Sequence, residues 1–151
     1  MKIHILYLLS IPFIINSCKD VHKNKNEQIH DSVKIKIADN YYQIDSFLKA
    51  KLYYDTLLLS DSLNAEFYFR RAFCESFMLD TKGAIFNYRK AIGHNYKNLK
   101  SAYLNLGINY RVLNKLDSAI YFYNKCLYID PQNNKAKIEK KEVLYKLNEL
   151  R

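Results

Sequence analysis

The chain has 151 residues, of which 24 are Lys or Arg and 15 are Asp or Glu, so its formal net charge is +9. The length fits a single domain, and a composition with 49% hydrophobic residues, two prolines and three glycines favours helices over a many-stranded sheet. The positive charge suits anionic partners, but the lysines are scattered and no basic run precedes the C-terminal "NNKAKIEKK", so nucleic-acid binding is not expected.

The N-terminal residues 1–17 have the pattern of a signal peptide. One lysine precedes an apolar run, residues 3–15, that is too short to span a bilayer and suits a signal core. The segment Ile15-Asn16-Ser17-Cys18 resembles the lipobox of bacterial lipoproteins, in which a small residue precedes the lipidated cysteine. We therefore expect a lipid on Cys18 and a polar tether over residues 18–30; an ordinary secretory signal is the alternative.

The same resemblance implies a location. A lipidated Cys18 would anchor the chain to a membrane of the cell envelope, with the outer membrane of a Gram-negative bacterium favoured. Whether the domain faces the periplasm or the outside is not predicted by the two residues after the cysteine, Lys19 and Asp20.

Three segments of the remaining chain align in one register. They are "KAKLYYDTLLLSDSLN", "GAIFNYRKAIGHNYKN" and "SAIYFYNKCLYIDPQN", and their first aligned alanines are 34 and 35 residues apart. A small residue recurs at two places in each unit, where we expect two helices to cross closely. These packing residues are Ala38, Ala50, Ala72, Ala84, Gly107 and Ala119.

The third unit, residues 100–133, resembles the tetratricopeptide repeat (TPR), a 34-residue pair of antiparallel helices. The residues that carry the resemblance are Tyr103, Leu106, Gly107, Tyr110, Ala119, Tyr123 and Pro131. Residues 31–64 and 65–99 follow the register with departures: Arg71 and Glu75 stand where the third unit has Leu106 and Tyr110, which predicts looser packing there. The resemblance implies an all-α fold, an α-solenoid of three helix pairs.

The C-terminal residues 134–151 are predicted to form a capping helix. Their apolar side chains fall on one helical stripe against a charged remainder, and such a helix closes the apolar end of a repeat stack. The stripe comprises Ala136, Val143, Leu144, Leu147 and Leu150.

In the TPR architecture, the first helices of successive units line a concave groove. The register places three rows of residues there: Ile35, Phe69 and Leu104; Asp39, Phe73 and Ile108; Tyr42, Ser76 and Arg111; with Lys36, Arg70 and Asn105 beside the first row. We predict an apolar floor with a basic flank, and a partner-binding set of Phe69, Arg70, Phe73, Leu104, Ile108 and Arg111. Ile35, Asp39 and Ser101 fall where family members that grip a terminal carboxylate carry basic or amide groups, so that activity is not supported.

Residues for catalysis or metal binding are not recognisable in the sequence. His94 stands alone in a predicted loop, no metal-ligand or phosphate-loop pattern occurs, and no cofactor is expected. Cys74 and Cys126 lie on predicted helices and are interpreted as small buried hydrophobes. The repeated tyrosines, Tyr54, Tyr88 and Tyr123, are interpreted as core residues.

The sequence therefore predicts a non-enzymatic interaction module: a membrane-anchored TPR lipoprotein that docks a segment of a partner protein in its groove. The alternative is a basic surface that binds a polyanion, either lipopolysaccharide or nucleic acid. The partner's identity and the oligomeric state are not predicted.

Overall fold

The computed structural model describes residues 31–149, in which there are seven α-helices and no strand. Their bounds are α1 31–43, α2 Phe47–Ser60, α3 Ala65–Phe77, α4 Thr81–Gly93, α5 Leu99–Val112, α6 Leu116–Ile129 and α7 Asn134–Glu149. Cys18, the predicted signal peptide and the predicted tether lie outside the described residues. No helix between residues 31 and 149 is long and apolar enough to cross a bilayer.

The helices pack as a stack of antiparallel pairs. Each helix from α2 to α7 lies against its neighbours in the chain, and α3 also approaches α5, as α5 approaches α7. Within residues 31–149, α2, α4 and α6 do not approach one another as closely as α3 approaches α5. The first helices are therefore the closely spaced inner side of a curved stack, and the prediction of an all-α solenoid is confirmed.

The helix boundaries follow from local chemistry. Asn64, Asp80 and Asn98 each accept backbone N–H bonds at the start of α3, α4 and α5, which satisfies donors that the helix itself leaves unpaired. Between the two helices of each pair the chain turns through one residue in the left-handed region. These residues are Asp45, Leu79 and Asn114, with φ of 56°, 62° and 56°.

The core is built from small residues and large rings that alternate along the stack. Ala38, Ala50, Ala72, Ala84 and Ala119 have no exposed surface, and Gly107 is also buried. Tyr54, Tyr88 and Tyr123 are likewise fully buried. At Gly107 the reason for the glycine is visible: an added Cβ would lie 2.5 Å from Cδ1 of Tyr123 and 3.0 Å from its Cζ.

The second pair differs from the others in one layer between its helices. In the first pair Tyr41 stacks on Tyr53, and in the third Tyr110 stacks on Phe122, with ring centroids 5.8 and 5.2 Å apart. In the second pair the equivalent residues are polar: Nδ2 of Asn87 donates to Oε2 of Glu75 at 2.6 Å.

That polar layer is extended by Arg71. Its Nε lies 3.2 Å from Oε1 of Glu75 and 3.0 Å from Oδ1 of Asp55 on α2. Arg71 and Glu75, from which the sequence predicted looser packing, thus join α3 to α2 through an ion pair and to α4 through a hydrogen bond. Burial raises the pKa of Glu75, because its carboxylate is removed from water.

The last helix, α7, lies where the first helix of a fourth unit would lie. Ala136 and Val143 are buried, and Leu147 packs against the cluster that contains Val143, Leu116 and Tyr123. Leu144 is 41% exposed and is not part of this stripe, which corrects the prediction; it is one residue from Val143 and so turns about 100° away. Leu150 lies outside the described residues.

Candidate functional site: the inner face of the first helices

The candidate site is the inner face formed by α1, α3, α5 and α7. The TPR register places Phe73 and Ile108 at the same position of α3 and α5, and the two helices approach each other. Hydrogen bonds between Ser76 and Asn109 fix this approach: Asn109 Nδ2 donates to Ser76 Oγ at 3.0 Å. Ser76, a member of the third predicted row, is therefore used in packing between repeats.

Phe69 does not belong to an open groove. Its side chain is only 9% exposed, and its ring stacks on Tyr96 at 4.3 Å and meets the edge of Tyr88 at 5.4 Å. Tyr96 lies in the loop after α4 and covers Phe69. Phe69 is a core residue, which corrects the prediction that it binds the partner.

The predicted basic flank is partly neutralised by acidic side chains of the same protein. Nη1 of Arg70 lies 3.2 Å from Oδ1 of Asp39, and its Nε lies 2.7 Å from Oε1 of Glu66. Nε of Arg111 lies 3.0 Å from Oε2 of Glu139 on α7. These two arginines therefore present little free charge, which weakens the predicted basic flank at Arg70, whereas Lys36 of the same flank is exposed.

Aromatic rings cluster where α1 and α3 end. Phe73 lies 5.0 Å from Tyr42 and 4.8 Å from Phe77, and Phe77 stacks on Phe47 at 4.6 Å. Arg70 lies over the Tyr42 ring, and burial raises the pKa of Tyr42 to about 12, so this ring stays neutral. The four rings hold one another in place, and Phe77 at their outer edge is 58% exposed.

The other half of the face is aliphatic. Leu104 and Ile108 are half-buried and pack against the cluster that contains Tyr123 and Val143. Part of each side chain is therefore buried against this cluster, which residues of α6 and α7 form, and part stays accessible.

Sequence reasoning missed four apolar residues of this face. Phe77 and Val112 each follow a predicted groove residue by one helical turn, and Val112 is 57% exposed. Ile138 and Tyr145 on α7 are also exposed and lie 34 residues after Leu104 and Arg111. The sequence contained a signal for each pair. Phe77 and Val112 follow Phe73 and Ile108 by four residues, which places them on the same helix face. Ile138 and Tyr145 are found when the repeat register is extended to a fourth unit.

The two described cysteines are not arranged for chemistry. Cys74 and Cys126 are free and fully buried, and burial raises the pKa of Cys74 to about 12. His94 stacks on Tyr68 at 5.3 Å. No group of His, Cys, Asp or Glu that could hold a metal ion occurs within residues 31–149.

Comparison with known proteins gives one sequence match and several structural ones. Residues 101–133 match the family described as Tetratricopeptide repeat. No curated protein matches the chain significantly.

Several solved structures share the fold at low sequence identity. The first TPR of Spaghetti (RPAP3) bound to an HSP90 peptide superposes with a TM-score of 0.73 at 21% identity, covering 78% of this chain and 93% of that one. The Arabidopsis OM64 TPR domain superposes with a TM-score of 0.71 at 24% sequence identity, covering 77% of this chain and 95% of that one. A third match is the Yersinia enterocolitica type III secretion chaperone SycD in complex with a peptide of the translocator YopD. It superposes with a TM-score of 0.69 at 14% sequence identity, covering 76% of this chain and 92% of that one. These matches establish the fold of this chain.

Proposed function

We propose that this TPR-fold chain is a membrane-anchored adaptor that binds a segment of a partner protein on its inner face and catalyses no reaction. The observation that carries the proposal is the apolar strip formed by Phe73, Phe77, Ile108 and Val112 on the adjacent helices α3 and α5, in which Phe77 and Val112 are exposed and Phe73 and Ile108 are half-buried. Exposed aromatic and aliphatic side chains in a continuous strip are typical of docking surfaces.

The strip is preorganised for binding. Phe77 is held between Phe47 and Phe73, so little rotamer freedom remains to be lost when a partner covers it. Three structural neighbours are described with bound peptides, namely peptides of HSP90, HSP70 and YopD. Their peptide binding supports a peptide segment as the occupant of this face.

The partner is expected to bind mainly through apolar side chains. Arg70 and Arg111 are engaged by Asp39, Glu66 and Glu139, so a carboxylate on the partner would have to displace an existing ion pair. A segment with two apolar anchors, one over Phe77 and one over Val112, fits the strip best.

The first prediction tests the groove. Crosslinking in intact cells from a photoreactive residue at position 77 is expected to recover one protein, and a peptide from its crosslinked segment is then titrated against the purified chain. Phe77→Ser together with Val112→Ser is expected to weaken peptide binding roughly thirtyfold, as loss of a hot spot does. Leu63→Ser is the matched control, because Leu63 is exposed in the loop between α2 and α3. Equal peptide affinity in the double variant and the control, with unchanged helical circular dichroism, would remove the groove from the proposal.

The second prediction concerns the anchor, which rests on the sequence around Cys18. Cells fed a labelled fatty acid are expected to incorporate label into the chain, since two acyl chains anchor a protein stably. Cys18→Ala should abolish both the label and sedimentation with membranes. A labelled Cys18→Ala variant, or an unlabelled wild-type chain, would contradict lipidation at this residue.

A further inference from the structure

The outer side of the stack carries basic and aromatic side chains side by side. We name as the outer patch Lys82, Phe86, Arg89 and Lys90 on α4 together with Tyr121 and Lys125 on α6, all of which are exposed. Phe86 and Tyr121 occupy equivalent positions of the two helices and are 57% and 55% exposed. In each helix a lysine one turn later lies over the ring, with Nζ 5.7 Å and 5.6 Å from the ring centroids.

The cations of the outer patch differ from Arg70 and Arg111 of the inner face in having no acidic partner. Within residues 31–149, Arg70 and Arg111 form ion pairs, whereas no ion pair involves a basic residue of the outer patch. Two exposed carboxylates lie nearby, Asp117 one turn before Tyr121 and the α4 N-cap Asp80 two residues before Lys82, and neither forms an ion pair with the patch. The outer patch therefore presents most of its positive charge to solvent.

We propose that the outer patch docks the protein on the surface of an anionic phospholipid bilayer. Lys and Arg would reach lipid phosphates while the rings of Phe86 and Tyr121 enter the boundary between headgroups and acyl chains. An open depression bounded by Lys82, Ile85, Phe86, Arg89 and Lys90 offers a seat for a headgroup on α4. A second copy of the chain fits less well, since two such patches would repel each other.

The inference rests on the proposed lipid anchor for its setting. The predicted tether of residues 18–30 spans up to about 40 Å when extended, which keeps the outer patch close to the bilayer and raises its effective concentration there. Docking through α4 and α6 turns the inner face of α3 and α5 away from the membrane, where a partner can reach it.

The third prediction tests the outer patch without the anchor. The mature chain carrying Cys18→Ser is mixed with vesicles of phosphatidylcholine alone or of phosphatidylcholine with phosphatidylglycerol, and binding is measured by flotation. We expect binding to the phosphatidylglycerol vesicles only. Lys82→Gln, Arg89→Gln and Lys90→Gln combined should weaken it about a hundredfold, since each basic side chain contributes about fivefold near an anionic surface. Phe86→Ser with Tyr121→Ser should weaken it about tenfold through lost apolar burial.

Matched controls decide between a defined patch and diffuse charge. The variant Lys135→Gln, Lys137→Gln and Lys141→Gln removes the same charge from α7 and should change vesicle binding by about threefold or less. Equal losses in the two charge variants, no preference for phosphatidylglycerol, or vesicle binding through self-association would each overturn the proposal. Insensitivity of vesicle binding to the two ring substitutions, with tighter binding of an oligonucleotide or lipopolysaccharide, would also overturn it and assign a polyanion site instead. Failure of fatty-acid labelling or of peptide capture would leave the vesicle result unaffected.

Discussion

Gly107→Ala is expected to lower the free energy of unfolding by about 2 kcal/mol, although alanine is the better helix former. The added methyl group would overlap the ring of Tyr123, which is fully buried and cannot swing into solvent. Overpacking of this kind costs up to about 3 kcal/mol, and the gain in helix propensity offsets about 1 kcal/mol of it. Urea unfolding followed by circular dichroism measures the difference.

Gly93 provides the matched control for this substitution. It ends α4, and an added Cβ would meet no atom within 4 Å. Gly93→Ala is therefore expected to leave stability unchanged or to raise it by up to about 1 kcal/mol. If Gly107→Ala proved as stable as Gly93→Ala, the packing of α5 on α6 would accommodate the added methyl group. Close packing at Gly107 would then not be what stabilises this helix pair.

Arg71→Ala is expected to cost about 3 kcal/mol, because it leaves the nearly buried carboxylate of Glu75 without its cation. Asn87 alone would remain bound to that carboxylate, and Asp55 would keep only Lys51. The partial exposure of Arg71 places the expected loss at the low end of the range for broken buried pairs. The measurement is again urea unfolding, at pH 7.5.

The third helix pair suggests a variant that should regain the stability lost in Arg71→Ala. Arg71→Leu, Glu75→Tyr and Asn87→Phe combined would place in the second pair the residues Leu106, Tyr110 and Phe122 of the third. We expect this variant to be at least as stable as the wild type at pH 7.5, since well-packed apolar residues often replace a buried ion pair without loss. A triple variant less stable than Arg71→Ala would show that the polar layer is required for packing.

Glu75 also makes the stability difference between the wild type and the triple variant depend on pH. Its pKa is raised in the folded state, so its contribution to stability is greatest below the unfolded value of about 4.3 and falls as the pH rises through the raised pKa. The advantage of the triple variant over the wild type should therefore shrink when both are unfolded at pH 5 instead of pH 7.5.

The inner face shows how far a repeat register carries a prediction of function. The register placed Phe73, Leu104 and Ile108 on this face, and extension by one turn or one unit would have added Phe77 and Ile138. It failed for Phe69, because Tyr96 from the loop after α4 covers that ring. A periodic pattern describes what all units share, and this loop carries a residue that the other units lack.

The sequence by itself determined the helix pairs, their order and their close crossings. Small residues and tyrosines recur every 34 or 35 residues, and contacts between neighbouring helices depend on residues near in the chain. Only the tertiary structure decided which charges are free. Arg70 pairs with Asp39 of the previous unit, and Arg111 pairs with Glu139 of α7, while Lys82, Arg89 and Lys90 form no ion pair with an acid within residues 31–149. Whether two charges pair depends on the distance between them in the folded stack, and neither net charge nor sequence periodicity gives that distance.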